Sequence, residues 1–298
     1  MNLSLRKWGT LVILSVIWGS SYILIKKGLT GLTPIQLGSL RVIITTILIA
    51  PIGYQKLKHI PKYKMKWVAF SAFVGSFFPA YLFAFAETEI ASSVTAVIVS
   101  LTPLFTLLIS VIVFGEELLK KQVFGVIVGF VGIIVLINNE LISSSFNLLY
   151  VMFIVLAAFC YAINANVLKY KLPNIPALGI VFMSFLFMFI PAFIVLCFSS
   201  FPFSDFASDP LIIESIIYIV ILALFGTAIA KVMYIKLLAI STPVFSVSTT
   251  YLMPVVAIFW GLLDGEEFKL TQFIGTSIIL IGVYLVTKKK APIKDASS

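Results

Sequence analysis

Ten long apolar runs dominate this sequence and restrict the folds that are open to it. Each run has about 17 to 25 residues, the length that an α-helix needs to cross a hydrocarbon core about 30 Å thick. Only 11% of the 298 residues are charged and 61% are hydrophobic, which leaves too little polar surface for a water-soluble globule. Transmembrane β-strands would be about half as long and would alternate in polarity. We therefore predict an all-α polytopic membrane protein with ten transmembrane helices, at roughly 8–27, 34–54, 67–86, 91–114, 122–138, 148–168, 176–198, 212–237, 243–263 and 270–287.

Lysine and arginine residues predict the orientation of these spans. The first run starts at Trp8, is longer than the apolar region of a signal peptide and lacks a small-residue cleavage site, so we expect it to be retained. With a cytoplasmic N-terminus, most of the 21 lysines and arginines fall inside, including the tail Lys288–Lys290, whereas only Lys26, Lys27 and Lys269 fall outside. Because cations near span ends set orientation, both termini are predicted to be cytoplasmic. The net charge of +9 is then a topology signal, and no nucleic-acid partner is expected.

A pattern of six residues occurs twice in the chain at one constant offset. The first copy is Gly115, Glu116, Glu117, Gln122, Gly125 and Gly132, and the second is Gly265, Glu266, Glu267, Gln272, Gly275 and Gly282. Such self-similarity indicates two copies of one unit of five spans. Five spans that start inside finish outside, so the second copy is inverted relative to the first. We predict a first repeat at 1–140, with spans 1–5, and a second at 141–298, with spans 6–10 and a short basic cytoplasmic tail.

The repeated residues have both structural and functional interpretations. The paired glutamates precede apolar helices, where acids favour the positive end of the helix dipole, so we interpret them as caps of the following helix, with a gate as the alternative. Gly125, Gly129 and Gly132 lie on one stripe, as small residues do where membrane helices approach closely. Pro103 and Pro254 each remove one helical hydrogen bond within a span and are expected to bend it, either to shape a cavity or as a tolerated kink.

These motifs together resemble a known family. WGSSYILIK near the start, the SLTP and YLMP prolines, and the GEE motif with its following Gly-x6-Gly are similar to the EamA domain of the drug/metabolite transporter superfamily. The resemblance covers essentially the whole chain as two tandem domains. It implies two inverted five-helix bundles in the plasma (inner) membrane of a prokaryote, with a central cavity between spans 1, 3, 4 and spans 6, 8, 9. It also implies alternating access for small metabolites; similar members export amino acids, and relatives carry nucleotide sugars or phosphorylated sugars.

Two charged residues lie within predicted spans. Arg41 is in span 2 and Lys231 in span 8, and burying either costs about 2.5–3.5 kcal/mol on insertion scales. The other repeat has Met183 and Ala80 at the matching positions, and such asymmetry is what a specific substrate demands. Each cation either snorkels to the membrane surface or faces a wet cavity. If both face the cavity, the cargo should carry a carboxylate or phosphate.

Aromatic and small polar side chains within the spans complete the predicted substrate site. Hydroxyls and amides at such positions also bond neighbouring helices, which is the alternative for each of them. The residues predicted to bind substrate are Trp18, Tyr22, Arg41, Tyr81, Thr95, Thr102, Tyr161, Asn164, Lys231 and Tyr251.

The sequence favours a transporter over an enzyme. It lacks HExxH, GxSxG and Walker motifs, and Cys160 and Cys197 are predicted to be buried hydrophobes, so we expect no catalytic site, metal or cofactor. Span 1 has no acid; Glu87 and Glu89 are the nearest candidates for proton coupling, with solvated side chains as the alternative, and gradient-driven efflux or exchange is favoured. We predict export or exchange of amino-acid-like or other anionic or zwitterionic metabolites by alternating access. The alternatives are a phosphorylated-metabolite exchanger and a non-transporting scaffold or receptor. The expected partners are a small-molecule substrate and the lipid bilayer, with a homodimer left open.

Overall fold

The structure is a computed structural model that describes residues 3–117, 120–142, 148–203, 208–267 and 269–287. These residues form helices joined by short turns, with no β-strand among them, which confirms the all-α prediction for this part of the chain. Eight helical spans are long and apolar enough to cross a membrane, and Leu270–Gly282 is a shorter apolar helix. The count of ten spans therefore stays a prediction. The tail lysines lie outside the described residues.

In chain order the helices are α1 (Leu3–Gly28), α2 (Pro34–Gly53), α3 (Met65–Ala72), α4 (Phe78–Ala86), α5 (Ser92–Val99), α6 (Thr102–Phe114), α7 (Lys120–Ile142), α8 (Leu148–Lys171), α9 (Ala177–Cys197), α10 (Pro210–Ile221), α11 (Ala230–Ala239), α12 (Pro243–Val247), α13 (Met253–Leu263) and α14 (Leu270–Thr287).

Four of the apolar runs depart from regular α-helix near their middle. A π-helical stretch, Phe73–Phe77, joins α3 to α4, and a second, Leu222–Ile229, joins α10 to α11. The fourth run is interrupted between α5 and α6, and a 3₁₀ turn, Ser248–Tyr251, separates α12 from α13. Irregular backbone at membrane depth is tolerated where it is buried in protein or lines a cavity. These breaks therefore indicate that a site lies in the interior of the bundle.

The two repeated prolines occupy the helix restarts that follow the interruptions. Pro103 lies in the first turn of α6 and Pro254 in the first turn of α13. The first N–H groups of a helix have no intrahelical partner, so proline sacrifices no hydrogen bond there and its fixed φ suits the helix. The expected bend is thus replaced by a break: one helix ends and another begins.

Corresponding helices of the two halves make corresponding contacts. α1 packs against α13, α10 and α11, and α8 packs against the matching helices α6, α3 and α4. α2 packs against α9, its counterpart, and α7 packs against α14. The contact between α7 and α14 involves the repeated glycines. A Cβ added at Gly282 would lie 2.5 Å from the Gly129 nitrogen, and one at Gly132 would lie 2.7 Å from the Ile279 nitrogen. This confirms the helix-packing interpretation of the glycine stripe for these positions.

A Gly282→Leu substitution is expected to destabilise the protein, because the new side chain meets backbone, which cannot rotate away. Overpacking of this kind costs about 1–3 kcal/mol. Thermal unfolding in detergent should show a lowered Tm. Gly9→Leu is the matched control, since among the described residues no atom lies within 4 Å of a Cβ placed at Gly9. Equal melting temperatures for the two variants would contradict the close packing of α7 and α14.

The glycines of the two GEE motifs end helices. Gly115 follows α6 with φ 70° and Gly265 follows α13 with φ 82°, in the left-handed region that favours glycine. The amide of Glu266 then donates to the Gly261 carbonyl at 2.8 Å, which closes the last turn of α13. The motif is therefore repeated in part because both helices end with the same left-handed turn.

Candidate functional site

A central cavity of about 90 Å³ lies where the four irregular segments meet. Its walls come from α1, α2, α4, α5, α6, α8, α11, α12 and α13, from both π-helical stretches and from the 3₁₀ turn. Seven of the ten residues predicted to bind substrate line it, namely Trp18, Tyr22, Arg41, Thr102, Tyr161, Asn164 and Lys231. These seven side chains thus come together around one cavity, and substrate binding by them stays a prediction.

The other three predicted residues do not line this cavity. The Tyr81 hydroxyl lies 2.9 Å from the Ser39 hydroxyl, and the Tyr81 ring packs against Phe77. Thr95 is fully buried within α5, where every residue is buried. Tyr251 is part of the 3₁₀ turn and packs against the hydrophobic core. Tyr81, Thr95 and Tyr251 thus lie outside the lining of this cavity, and substrate binding by them stays a prediction.

Arg41 and Lys231 both project into the cavity. The Arg41 Nε donates to the Thr227 hydroxyl at 2.9 Å, and the Lys231 Nζ donates to the Gly75 carbonyl at 2.6 Å. Both partners belong to π-helical stretches, Thr227 to the second and Gly75 to the first. π-helical turns recur at functional sites. Snorkelling to the membrane surface, the alternative for both cations, does not agree with these contacts.

Neither cation is neutralised by a nearby acid. Among the described residues, no carboxylate lies within 4 Å of Arg41 or Lys231. The ion pairs in this part of the chain join Lys26 and Lys27 to Asp264 and Glu266. Arg41 and Lys231 also line a small adjoining pocket together with Thr227. A guanidinium and an ammonium facing one space without a counter-ion make a local positive field that attracts an anion.

Aromatic rings form the remaining walls. The Trp18 indole N–H donates to the Gly226 carbonyl at 2.9 Å, and the ring lies 5.4 Å from that of Tyr234. On the opposite wall, Phe83 stacks on Tyr161 with 5.8 Å between ring centroids. These rings provide an apolar, polarisable surface beside the two cations.

Two glycines escaped the sequence analysis, although both contribute to the site. Gly75 supplies the carbonyl that binds Lys231, and a Cβ there would lie 2.3 Å from the Asn164 amide. Gly226 supplies the carbonyl that binds Trp18. A glycine within a span usually marks close packing, and the available sequence signal was that each interrupts an apolar run next to a polar residue, Ser76 and Thr227.

One end of the bundle is closed by a cluster that we call the Glu266 cluster: Lys26, Lys27, Ser92, Ser93, Asp264 and Glu266. Lys26 pairs with Asp264 at 2.8 Å and with Glu266 at 2.9 Å, and Lys27 also pairs with Asp264. The Glu266 carboxylate accepts hydrogen bonds from the amides and hydroxyls of Ser92 and Ser93 at 2.7–3.2 Å. It therefore caps α5, whose own N-cap, Ala91, offers no side-chain acceptor. We call this the Glu266 end of the bundle.

Both acids of the Glu266 cluster are held in their charged form. Burial alone would raise the pKa of Glu266, but hydrogen bonds from Ser93, Lys26 and Ser92 outweigh burial and lower it below its usual value. Burial also acts to raise the pKa of Asp264, whereas hydrogen bonds from Lys26 and Lys27 lower it overall. The pairing of these two carboxylates is thus fully present at neutral pH and weakens as the pH falls through these lowered pKa values.

The matching residues at the opposite end, the Glu116 end, make different contacts. Glu116 is exposed and accepts a hydrogen bond from the Tyr170 hydroxyl. Lys169, the counterpart of Lys26, donates to the carbonyls of Leu238 and Ser241 at 3.0 and 2.5 Å. The prediction that the GEE acids cap the following helix is wrong for Glu266, which caps α5 instead.

Comparisons with known proteins agree with this architecture. A model of the EamA-like transporter family matches residues 7–138 and, a second time, residues 148–288. The chain belongs to the EamA-like transporter family. Relatives of this EamA-like protein include an uncharacterized transporter of Archaeoglobus fulgidus, 28% identical over 96% of this chain and 100% of the relative. The uncharacterized inner membrane transporter YedA of Escherichia coli is 27% identical over 98% and 97% of the two chains.

A further relative of this EamA-like chain has a functional name. The "Probable amino-acid metabolite efflux pump" of Escherichia coli is 25% identical over 94% of both chains. A solved crystal structure of another protein aligns over 96% of both chains with a TM-score of 0.63 at 15% identity, which shows a shared fold alone. The chain is therefore a multi-pass membrane protein of the drug/metabolite transporter type.

Proposed function

We propose that this EamA-like transporter exports or exchanges small metabolites that carry a carboxylate or phosphate, by alternating access through the central cavity. The observation that carries the proposal is the pair of cations, Arg41 and Lys231, facing one cavity without a carboxylate partner among the described residues. Buried charges require a partner. An anionic substrate supplies one, and Arg41 can bind it through two parallel hydrogen bonds.

Amino-acid-like compounds fit the site best. The cavity is small, and its rings, Trp18, Tyr22 and Tyr161, can face the apolar or cationic part of a zwitterion while the carboxylate meets the cations. The relative named as an amino-acid metabolite efflux pump supports the same class. A phosphorylated metabolite is the second candidate, because the two cations suit a phosphate equally well.

We further propose that the fold is a ten-span inverted repeat with domains at 1–140 and 141–298. Three observations support this proposal. The family model matches the chain twice, corresponding helices of the two halves make corresponding contacts, and each half contains one π-helical stretch. The distribution of lysines favours cytoplasmic termini in the inner membrane. In this orientation the Glu266 end faces outward and the Glu116 end faces the cytoplasm.

Alternating access then follows from the difference between the two ends. Lys26 and Glu266 close the outer end, whereas their counterparts Lys169 and Glu116 do not contact each other among the described residues. Inverted repeats exchange roles between the two states of a transport cycle. In the outward-open state, the Glu266 cluster breaks and the Glu116 end closes.

The test is untargeted mass spectrometry of cells and medium, comparing wild type with an Arg41→Ala/Lys231→Ala variant at equal membrane abundance. We expect one class of carboxylated or phosphorylated compound to accumulate in the medium with the wild type only. Accumulation of neutral or cationic compounds alone, or in both strains equally, would contradict an anion site. A medium unchanged by the wild type would favour a non-transporting scaffold.

A further inference from the structure

One buried carboxylate in the described chain has no partner. Glu87 follows the last residue of α4 at the Glu266 end, and it is only 7% exposed. Both of its carboxylate oxygens are buried, and neither has a hydrogen-bond partner among the described residues. An unpaired ionised carboxylate in this position is strongly unfavourable, and a neutral carboxylic acid is much less so.

The charged and titratable groups that act on Glu87 are four residues from three segments of the chain. Arg41 on α2, Lys26 and Tyr22 on α1, and Glu266 after α13 all interact with it electrostatically. The two cations are already engaged, Lys26 with Asp264 and Glu266, and Arg41 with Thr227. Glu266 is a like charge and opposes ionisation. The closed Glu266 end therefore offers Glu87 no counter-ion.

The electrostatic environment of Glu87 also favours its neutral form. Burial raises the pKa of Glu87 well above its usual value, and the charge of Glu266 raises it further, while Arg41 and Lys26 act in the opposite direction without reversing the result. Asp264 and Glu266 behave differently, because their pKa values are lowered. At one end of the bundle, therefore, two carboxyl groups have lowered pKa values and a third has a raised one.

We propose that Glu87 is a proton-binding site, and that closing the Glu266 end takes up one proton there from water on that side of the membrane. This inference rests on the proposed function for the outward orientation of the Glu266 end and for its opening. It goes beyond that function by naming a second ligand, the proton, which the sequence analysis did not favour. When the Glu266 cluster opens, Glu87 is exposed to water and Lys26 is freed, so the carboxyl releases its proton.

The sign of the pH dependence follows from linkage. The closed state has the raised pKa and the open state a more ordinary one, so closure is favoured at low pH and is lost as the pH rises through the raised value. One proton changes the ratio of closed to open molecules by at most about tenfold per pH unit. Acidification that protonates Glu87 leaves Asp264 and Glu266 charged, because their pKa values are lowered.

Infrared spectroscopy of the purified protein tests the site directly and needs no substrate. At neutral pH the wild type is expected to show the C=O stretch of a protonated carboxylic acid, shifted in D₂O. The band should be absent from Glu87→Gln and present in Glu89→Gln, whose side chain is exposed two residues away. A wild type without the band would overturn the proposal whether or not the variants fold.

Cysteine accessibility tests the link to closure. Ile25 lines the cavity near the Glu266 end and is 2% exposed, so I25C in a background with Cys160→Ala and Cys197→Ala reports opening. A charged thiol reagent added on that side should react faster as pH rises, by up to tenfold per unit after division by its rate on T30C, which is exposed. Glu87→Gln should abolish this dependence and Glu89→Gln should keep it. A dependence that survives in Glu87→Gln would refute the proposal.

The two proposals fail in different ways. If no metabolite is exported while the infrared band and the accessibility slope depend on Glu87, the transport assignment fails and the proton site stands. If a carboxylated metabolite is exported but the band is missing, the proton site fails and the transport assignment stands.

Discussion

Removing both cavity cations is expected to reduce efflux of the anionic cargo by at least about 100-fold. A hydrogen bond to a charged group contributes about 1.5–3 kcal/mol, which is about tenfold to hundredfold in affinity for each cation. In a proteoliposome assay with the exported metabolite, Arg41→Ala and Lys231→Ala should each raise the apparent KM, and the double variant should bring transport to background. Arg41→Lys and Lys231→Arg keep the charge and should lose less, although lysine cannot bind a carboxylate through two fixed donors.

Lys236→Ala is the matched control for this experiment. Lys236 lies on α11, as Lys231 does, but its side chain is exposed. It should transport as the wild type does, because it removes the same charge from the same helix without touching the cavity. Undiminished efflux by Arg41→Ala/Lys231→Ala would mean that the cargo is recognised by the aromatic walls alone.

The second large effect is expected from Glu266→Ala. One carboxylate accepts hydrogen bonds from Ser92, Ser93 and Lys26, so its removal takes away the cap of α5 and an ion pair together. Losing interactions worth a few kcal/mol shifts a two-state equilibrium by about tenfold to hundredfold or more. We expect the Glu266 end to stay open, which raises thiol reactivity of I25C by that factor and slows net transport.

Glu267→Ala should leave both measurements unchanged. Its side chain is exposed, and it follows Glu266 directly in the chain, so it controls for the loss of an acid from this loop. If Glu266→Ala leaves I25C as unreactive as in the wild type, the Glu266 cluster is a static cap and the Glu266 end is closed by other contacts.

The repeat was the most predictive feature of the sequence, because its glycines are required by the same local backbone geometry in both halves. Gly115 and Gly265 both adopt left-handed φ after a helix, and Gly132 and Gly282 both sit where two helices approach within backbone contact. Such requirements tie a residue type to a position. They do not identify the partner of a charged side chain. Glu266 was therefore expected to cap the helix that follows it, although its carboxylate accepts hydrogen bonds from the start of α5, in the other half of the chain.

The predicted lining was limited by the breaks within the spans. A helix face can be read from residue spacing only while the helix is continuous. α5 and α6 are separated by an interruption, and a 3₁₀ turn that contains Tyr251 precedes α13, so residue spacing over the whole run does not show that Thr95 and Tyr251 lie outside the cavity lining. Arg41 and Lys231 were recognisable because their cost in a membrane is large at any face.

The burial of Glu87 could not be predicted from the sequence, for a different reason. Its position at the end of a span suggested a solvated acid as readily as a functional one. It is only 7% exposed, and the charged residues that act on it, Arg41, Lys26 and Glu266, are distant in sequence. Burial of this kind is a property of the assembled halves and leaves no local pattern.

The cap of α5 also affects the order in which the chain can fold during its synthesis. The amide of Ser92 and the carboxylate that binds it are 174 residues apart, so α5 is synthesised long before Glu266 exists. Until then the first N–H groups of α5 lack this acceptor, and the N-cap residue, Ala91, has no side chain that could replace it. A chain truncated before residue 264 would insert the first half with this helix start uncapped, so the first half reaches its final structure only after most of the second has been translated.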